Sequence, residues 1–143
     1  MRHRIFGKQL GRTHNQRQAL LRSLVTAIFT HGSISTTEAK AKAVLREVEK
    51  LASLINKSDA IVASRALSRY IQDKNTVKMA VSVFKATFTG ITSNFTKMIR
   101  IKRRQGDDAM IVKFSFVKDI NFSPKPKEDK KVTKVTKSAK NNS

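Results

Sequence analysis

Apolar residues recur along this chain first at helical spacing and then, towards its end, at every second position. Leu20, Leu21, Leu24, Val25, Ile28 and Phe29 fall on one side of a predicted helix. Thr13 and Gln16 have the spacing of a capping box at its start, and His31-Gly32 supplies a stop. Ser33 to Thr36 reads as a short strand. A second helix is predicted over about 37–56, with Leu45, Val48, Leu51, Ala52 and Ile55 as its core stripe. Lys57-Ser58-Asp59 breaks it, and Ser58 or Asp59 caps a third helix over about 60–71. That helix turns Val62, Ala63, Ala66, Leu67 and Tyr70 inward. A polar turn at 72–75 leads to a fourth helix, whose Val77, Ala80, Val81 and Phe84 face the core and which fades through 87–90. The Thr-, Ser- and Asn-rich segment 90–96 reads as a loop.

From Lys97 the period changes to two. Ile99 and Ile101 alternate with Arg100 and Lys102, and Met110, Val112, Phe114 and Phe116 alternate after the Gln105-Gly106-Asp107-Asp108 turn. Two such runs make a β-hairpin, which needs the helices to pack on. The predicted fold is therefore α+β: a two-layer α/β domain with element order α-β-α-α-α-β-β. Its three-stranded sheet is covered on one face by helices. Three regions follow: a basic N-terminal arm (1–13), a globular domain (14–118) and a disordered lysine-rich tail (119–143). The tail opens at Pro124 and Pro126 and holds seven lysines in the last twenty residues, with almost nothing to bury.

Charge changes this picture from a small fold to a small fold with a polyanionic partner. Among 143 residues, 30 Lys and Arg face 10 Asp and Glu, a formal net charge of +20. Each neutralised phosphate releases condensed counterions, so such an excess favours nucleic acid. The bases are spread over the whole chain and no apolar run approaches a membrane span of about 18 residues, which disfavours a lipid surface. The strongest concentration is at the start. Arg2, Arg4, Lys8, Arg12 and Arg17, with His3, precede any acid, the first being Glu38. This segment has little to bury and is expected to take its order from a bound polyanion. Arg17 and Arg22 continue its charge onto the outer face of the first helix. Lys40 and Lys42 stand in the first turns of the second helix, where the dipole prefers acids, and a bound phosphate would relieve that cost.

Catalytic patterns are missing from the sequence. It has no glycine-rich phosphate cradle, no paired carboxylates in a pocket, and no Ser-His-Asp or Cys-His grouping. There is no cysteine, so disulfides and zinc–thiolate sites are excluded. The three histidines lack metal-ligand spacing. Asp107 and Asp108 could hold a metal, but turn residues bonding their own backbone are the commoner case. No cofactor, metal or small-molecule substrate is expected, and no secretory signal is seen at the start. Phenylalanines mostly occupy core-type positions, and there is one Tyr and no Trp. That argues for recognition of RNA shape and backbone over stacking on single strands. Arginine at Arg100, Arg103 and Arg104 suits bidentate phosphate contacts.

Met1-Arg2-His3-Arg4, Gly7, Leu10-Gly11-Arg12-Thr13, Arg17 and Ala19-Leu20-Leu21-Arg22 resemble the opening of the bacterial large-subunit ribosomal protein family seventeen. Thr36-Thr37, Lys40-Ala41-Lys42, Glu49-Lys50 and Arg103-Arg104-Gln105-Gly106-Asp107 continue the resemblance in order, over about 1–117. It departs at Ser93 to Lys97, where the family has Gly-Gly-Tyr-Thr-Arg. The resemblance implies a non-enzymatic, structural protein bound to large-subunit ribosomal RNA near the polypeptide exit region, beside other ribosomal proteins. It also implies a bacterial cytoplasm, or an organelle descended from one. Arg2, His3, Arg4, Lys8, Arg12, Arg17 and Arg22 would face RNA, with Lys40, Lys42, Arg103 and Arg104 as secondary contacts. The alternative is a DNA- or RNA-binding architectural protein outside the ribosome.

Overall fold

A computed structural model of the chain describes residues 7–120. The expected tail beyond 120, and Arg2, His3 and Arg4 of the arm, lie outside the described residues. The elements are α1 (His14–His31), β1 (Ser33–Thr37), α2 (Glu38–Lys57), α3 (Ala60–Leu67), α4 (Lys74–Thr87), β2 (Thr96–Arg103) and β3 (Met110–Phe116). This is the α+β order read from the hydrophobic pattern. The sheet is antiparallel in the order β1-β3-β2, so the early strand pairs with the last one.

Local chemistry sets the helix ends. At the start of α1 the Gln16 side chain accepts a hydrogen bond from the Thr13 N–H at 3.3 Å, and Gly32 ends the helix with φ 73. The fully buried residues of α1, Val25, Ile28 and Phe29, lie in its second half; Leu21 and Leu24 pack against the core from the side, and the residues before Leu20 are largely exposed. Asp73 starts α4 inside the expected polar turn by accepting from the N–H groups of Asn75 and Thr76 at 3.2 and 3.0 Å. The hydrogen bonds from Thr76 and Asn75 hold its carboxyl below the usual range.

Several sequence expectations need correction. α3 ends at Leu67, four residues early. The Ser64 and Ser68 hydroxyls donate back to the carbonyls of Ala60 and Ser64 at 2.7 Å, and such bonds compete with the helix ladder. A turn then carries Ile71 into the core, its N–H bonded to the Leu67 carbonyl. Val62 is 47% exposed, because the buried stripe of α3 runs through Ala63 and Leu67. Leu45 is 37% exposed for a similar reason: the α2 stripe passes through Ala41, Val44 and Val48, one position earlier. The phase of β2 is also the reverse of that expected. Met98 pairs with Phe114 on the helix side, so Ile99 and Ile101 face out, each 52% exposed. A register shift between Arg100 and Lys102 leaves Ile101 without a partner in the ladder.

The core is built on six fully buried phenylalanines: Phe29, Phe84, Phe88, Phe95, Phe114 and Phe116. Phe84 on α4 has the Phe29, Phe88, Phe95 and Phe116 rings at 4.4–6.0 Å between centroids. Phe95 comes from the segment expected to be loop. Asn94, with φ 58, takes the left-handed turn that aims Phe95 inward, a conformation asparagine tolerates. Glu49 on α2 fixes this corner. Its carboxylate accepts from the N–H groups of Phe95 at 3.2 Å and Thr96 at 2.9 Å, and from the Thr96 hydroxyl at 2.5 Å. Replacing Glu49 by alanine strands three partly buried donors at the start of β2, two N–H groups and one hydroxyl. The expected loss is about 2–3 kcal/mol, read from the urea midpoint, with Glu49→Gln losing less because one acceptor survives.

Candidate nucleic-acid interface

The arm residues that are described do not run free of the domain. Leu10 and Gly11, with φ 54 and 63, reverse the chain ahead of α1. The Arg12 N–H donates to the Gln9 carbonyl at 3.1 Å and its guanidinium to the Leu10 carbonyl at 3.1 Å. This fold-back lays Lys8 against α2. The result is a cleft of about 730 Å³ between the end of the arm, α1 and α2. Lys8, Arg17, Lys42, Arg46 and Lys50 line it, with Glu47 as its one carboxylate.

The helical repeat explains the cluster. Lys42, Arg46 and Lys50 are spaced four residues apart and so rise along one side of α2. Arg17 enters from the exposed half of α1. Lys40, expected beside Lys42, lies roughly 160° away around the helix and does not line the cleft. Glu47 is engaged elsewhere as well, accepting the Tyr70 hydroxyl at 3.2 Å. Burial, and then the Glu47 charge, push the Tyr70 hydroxyl up from its usual value. On the far side of Leu21, an adjoining cleft of about 340 Å³ holds Gln18, Arg22, Arg69 and Tyr70. Among the expected contacts, Lys8, Arg17, Arg22 and Lys42 therefore come together along one surface. Arg12 lies beside it without lining either cleft.

Sequence reading missed Arg46, Lys50 and Arg69. The four-residue spacing from Lys42 was the available signal for the first two. Arg69 had none, since its place depends on the turn after α3.

The remaining candidates sit in ion pairs. Arg100 bonds Glu38 at 3.2 Å, and Lys42 bonds the same oxygen at 2.6 Å. Hydrogen bonds from Lys42 and then Arg100 hold the Glu38 carboxyl below its usual range. The expected dipole cost in the first turns of α2 is thus met by Glu38 from within the chain, without a bound phosphate. At the hairpin tip Arg103 pairs with Asp108, and the Arg104 Nε donates to Asp107 at 2.9 Å. The hydrogen bond from Arg104 holds the Asp107 carboxyl at about 2. The two aspartates therefore serve arginines and the turn backbone. Among the described residues no group of three or more His, Cys, Asp or Glu could hold a metal. The outer sheet face adds Lys97 and Lys113, set diagonally across β2 and β3.

The model of the family described as Ribosomal protein L17 matches residues 20–117, which span the domain from α1 to β3. The chain belongs to this family. Three relatives carry the name large ribosomal subunit protein bL17. That of Geobacter sulfurreducens is 35% identical over 91% of this chain and 73% of its own length. That of Geotalea daltonii is 34% identical over 90% and 70%. The Pelobacter propionicus protein is 32% identical over 87% of this chain and 97% of its own length. The L17 match includes the α2 side of the basic cleft and Arg22, but starts after Lys8 and Arg17.

Proposed function

We propose that this chain is a structural constituent of the large ribosomal subunit that binds ribosomal RNA through its basic arm and the α1–α2 cleft. The observation that carries this reading is the cleft's composition, five cations against one carboxylate, in a member of a ribosomal protein family. Phosphates entering it meet arginine forks from two helices and lysine point charges from the arm and α2. The helices fix the distance between these groups, so the domain acts as a spacer that holds RNA backbone segments together. Arg2, His3, Arg4 and Arg12 extend the same contact along the arm, while Arg103 and Arg104, already paired with aspartates, are secondary. The chain carries out no catalysis in this role and needs no cofactor. Its setting is the ribosome of a bacterial cytoplasm, near the polypeptide exit region and beside other large-subunit proteins. Among the described residues no helix is long and apolar enough to cross a membrane.

The test compares affinity for large-subunit ribosomal RNA with affinity for random-sequence DNA of equal length, across a salt series. Preference for the ribosomal RNA is expected at every salt concentration. Parity between the two would leave only a general polyanion binder. In the same assay, deleting Met1 to Arg12 should lower RNA affinity and flatten its salt dependence, with the helical circular dichroism retained.

A further inference from the structure

The groove between α3 and α4 differs from the RNA cleft in kind. It measures about 550 Å³; the exposed Ile61 side chain forms its apolar wall, Val77, only 2% exposed, closes it from beneath, and Arg65, Lys74 and Lys78 stand around it. It shares no residue with the clefts beside α1. Ile61 is 67% exposed, more than any other large apolar residue described. The hydroxyls of Ser64 and Ser68 donate to carbonyls of their own helix, so neither offers its proton to a ligand in the groove. Among the described residues none of its three cations makes an ion pair. The nearby Asp73 carboxylate is committed to the start of α4. An apolar trough edged by unpaired positive charge is what remains.

We propose that this groove docks an amphipathic, acidic segment of another protein, with apolar anchors packed on Ile61 and carboxylates on Arg65, Lys74 and Lys78. Charge and polarity together select this occupant. The chain's own end is disfavoured, because its last twenty residues hold seven lysines and two acids. A second copy is disfavoured by the same sign of charge, each chain carrying +20. RNA phosphates would meet the cations at the exposed rim but would leave the apolar Ile61 side chain unmatched. A helix presenting leucines at three- and four-residue spacing, with glutamates beside them, satisfies both the apolar wall and the rim. This inference stands apart from the RNA reading and can fail without it.

The experiment titrates the full-length protein with a synthetic leucine–glutamate amphipathic helix, following backbone amide shifts by NMR. The control peptide has every leucine replaced by serine at unchanged charge, and a duplex RNA oligonucleotide forms a third arm. Expected are shifts centred on Ile61, Ser64 and Val77 with the leucine peptide only. Affinity should fall roughly tenfold or more for Ile61→Asp, and by a smaller factor for Ile61→Ser. Equal binding of the serine peptide, shifts centred on the Lys42–Lys50 side of α2, or RNA occupying the Ile61 groove would each overturn the proposal. Because Ile61 is exposed, both variants should keep the parent circular dichroism.

Discussion

Phe84→Ala is expected to cost about 3–5 kcal/mol, a large part of the roughly 5–15 kcal/mol that holds a domain of this size together. Phe84 is fully buried and lies where α4, α1 and the sheet meet, against the rings of Phe29, Phe88, Phe95 and Phe116. Removing it deletes apolar area and the edge and stacking contacts of four neighbours at once. The cavity it leaves is walled by rings that cannot collapse into it without leaving their rotamers. Urea unfolding followed by circular dichroism reads the effect as a fall in midpoint. Phe84→Leu keeps most of the volume and should lose less than half as much. A Phe84→Ala loss below about 1 kcal/mol would mean that the ring cluster is not the keystone of the core.

The elements whose apolar residues obey one period over many residues were legible in the sequence. α1, α2 and β3 belong here, and so does the turn at Gly106. What escaped were features that depend on contacts distant in sequence. Phe95 looked like part of a polar loop because its neighbours are Thr, Ser and Asn; its burial follows from Asn94 turning and from Glu49, 46 residues away, holding its N–H. Ile99 and Ile101 alternate as well as Met98 and Arg100 do, so periodicity alone could not choose the phase. Pairing of Met98 with Phe114 chose it. The early end of α3 turned on two serines bonding their own backbone, a local competition that propensity leaves nearly balanced.

The basic surface was legible by composition and only half legible by position. An arm without acids announces itself, and Arg17 and Arg22 follow from the outer face of a capped helix. Lys42, Arg46 and Lys50 resemble the solvated face of any helix until α1 and Lys8 are brought over them. Conversely, Arg100, Arg103 and Arg104 looked as free as the arm arginines, yet each has a carboxylate within bonding distance. Five cations around one lining carboxylate, not the count of arginines, distinguish the cleft from the hairpin, even though Lys42 shares Glu38 with Arg100.

That distinction makes the cleft variant the sharper functional test. Lys42→Gln, Arg46→Gln and Lys50→Gln combined should remove about three phosphate contacts, lowering the slope of log affinity against log salt by roughly 2–3 and the affinity at about 0.1 M salt by roughly 100-fold. These side chains are exposed, so the fold should survive, as judged by an unchanged urea midpoint to within about 0.5 kcal/mol. The comparison variant is Arg100→Gln with Arg103→Gln and Arg104→Gln, which removes the same charge from the hairpin. In the cleft Lys42 shares Glu38, but five cations face one lining carboxylate. All three hairpin arginines spend part of their field on Glu38, Asp108 and Asp107, with which a phosphate must compete. Their loss should therefore lower the salt slope by less than the cleft variant does. If both variants lowered slope and affinity equally, binding would depend on net charge alone. The cleft between α1 and α2 would then be one part of a diffuse cationic surface, without a privileged place in holding the RNA.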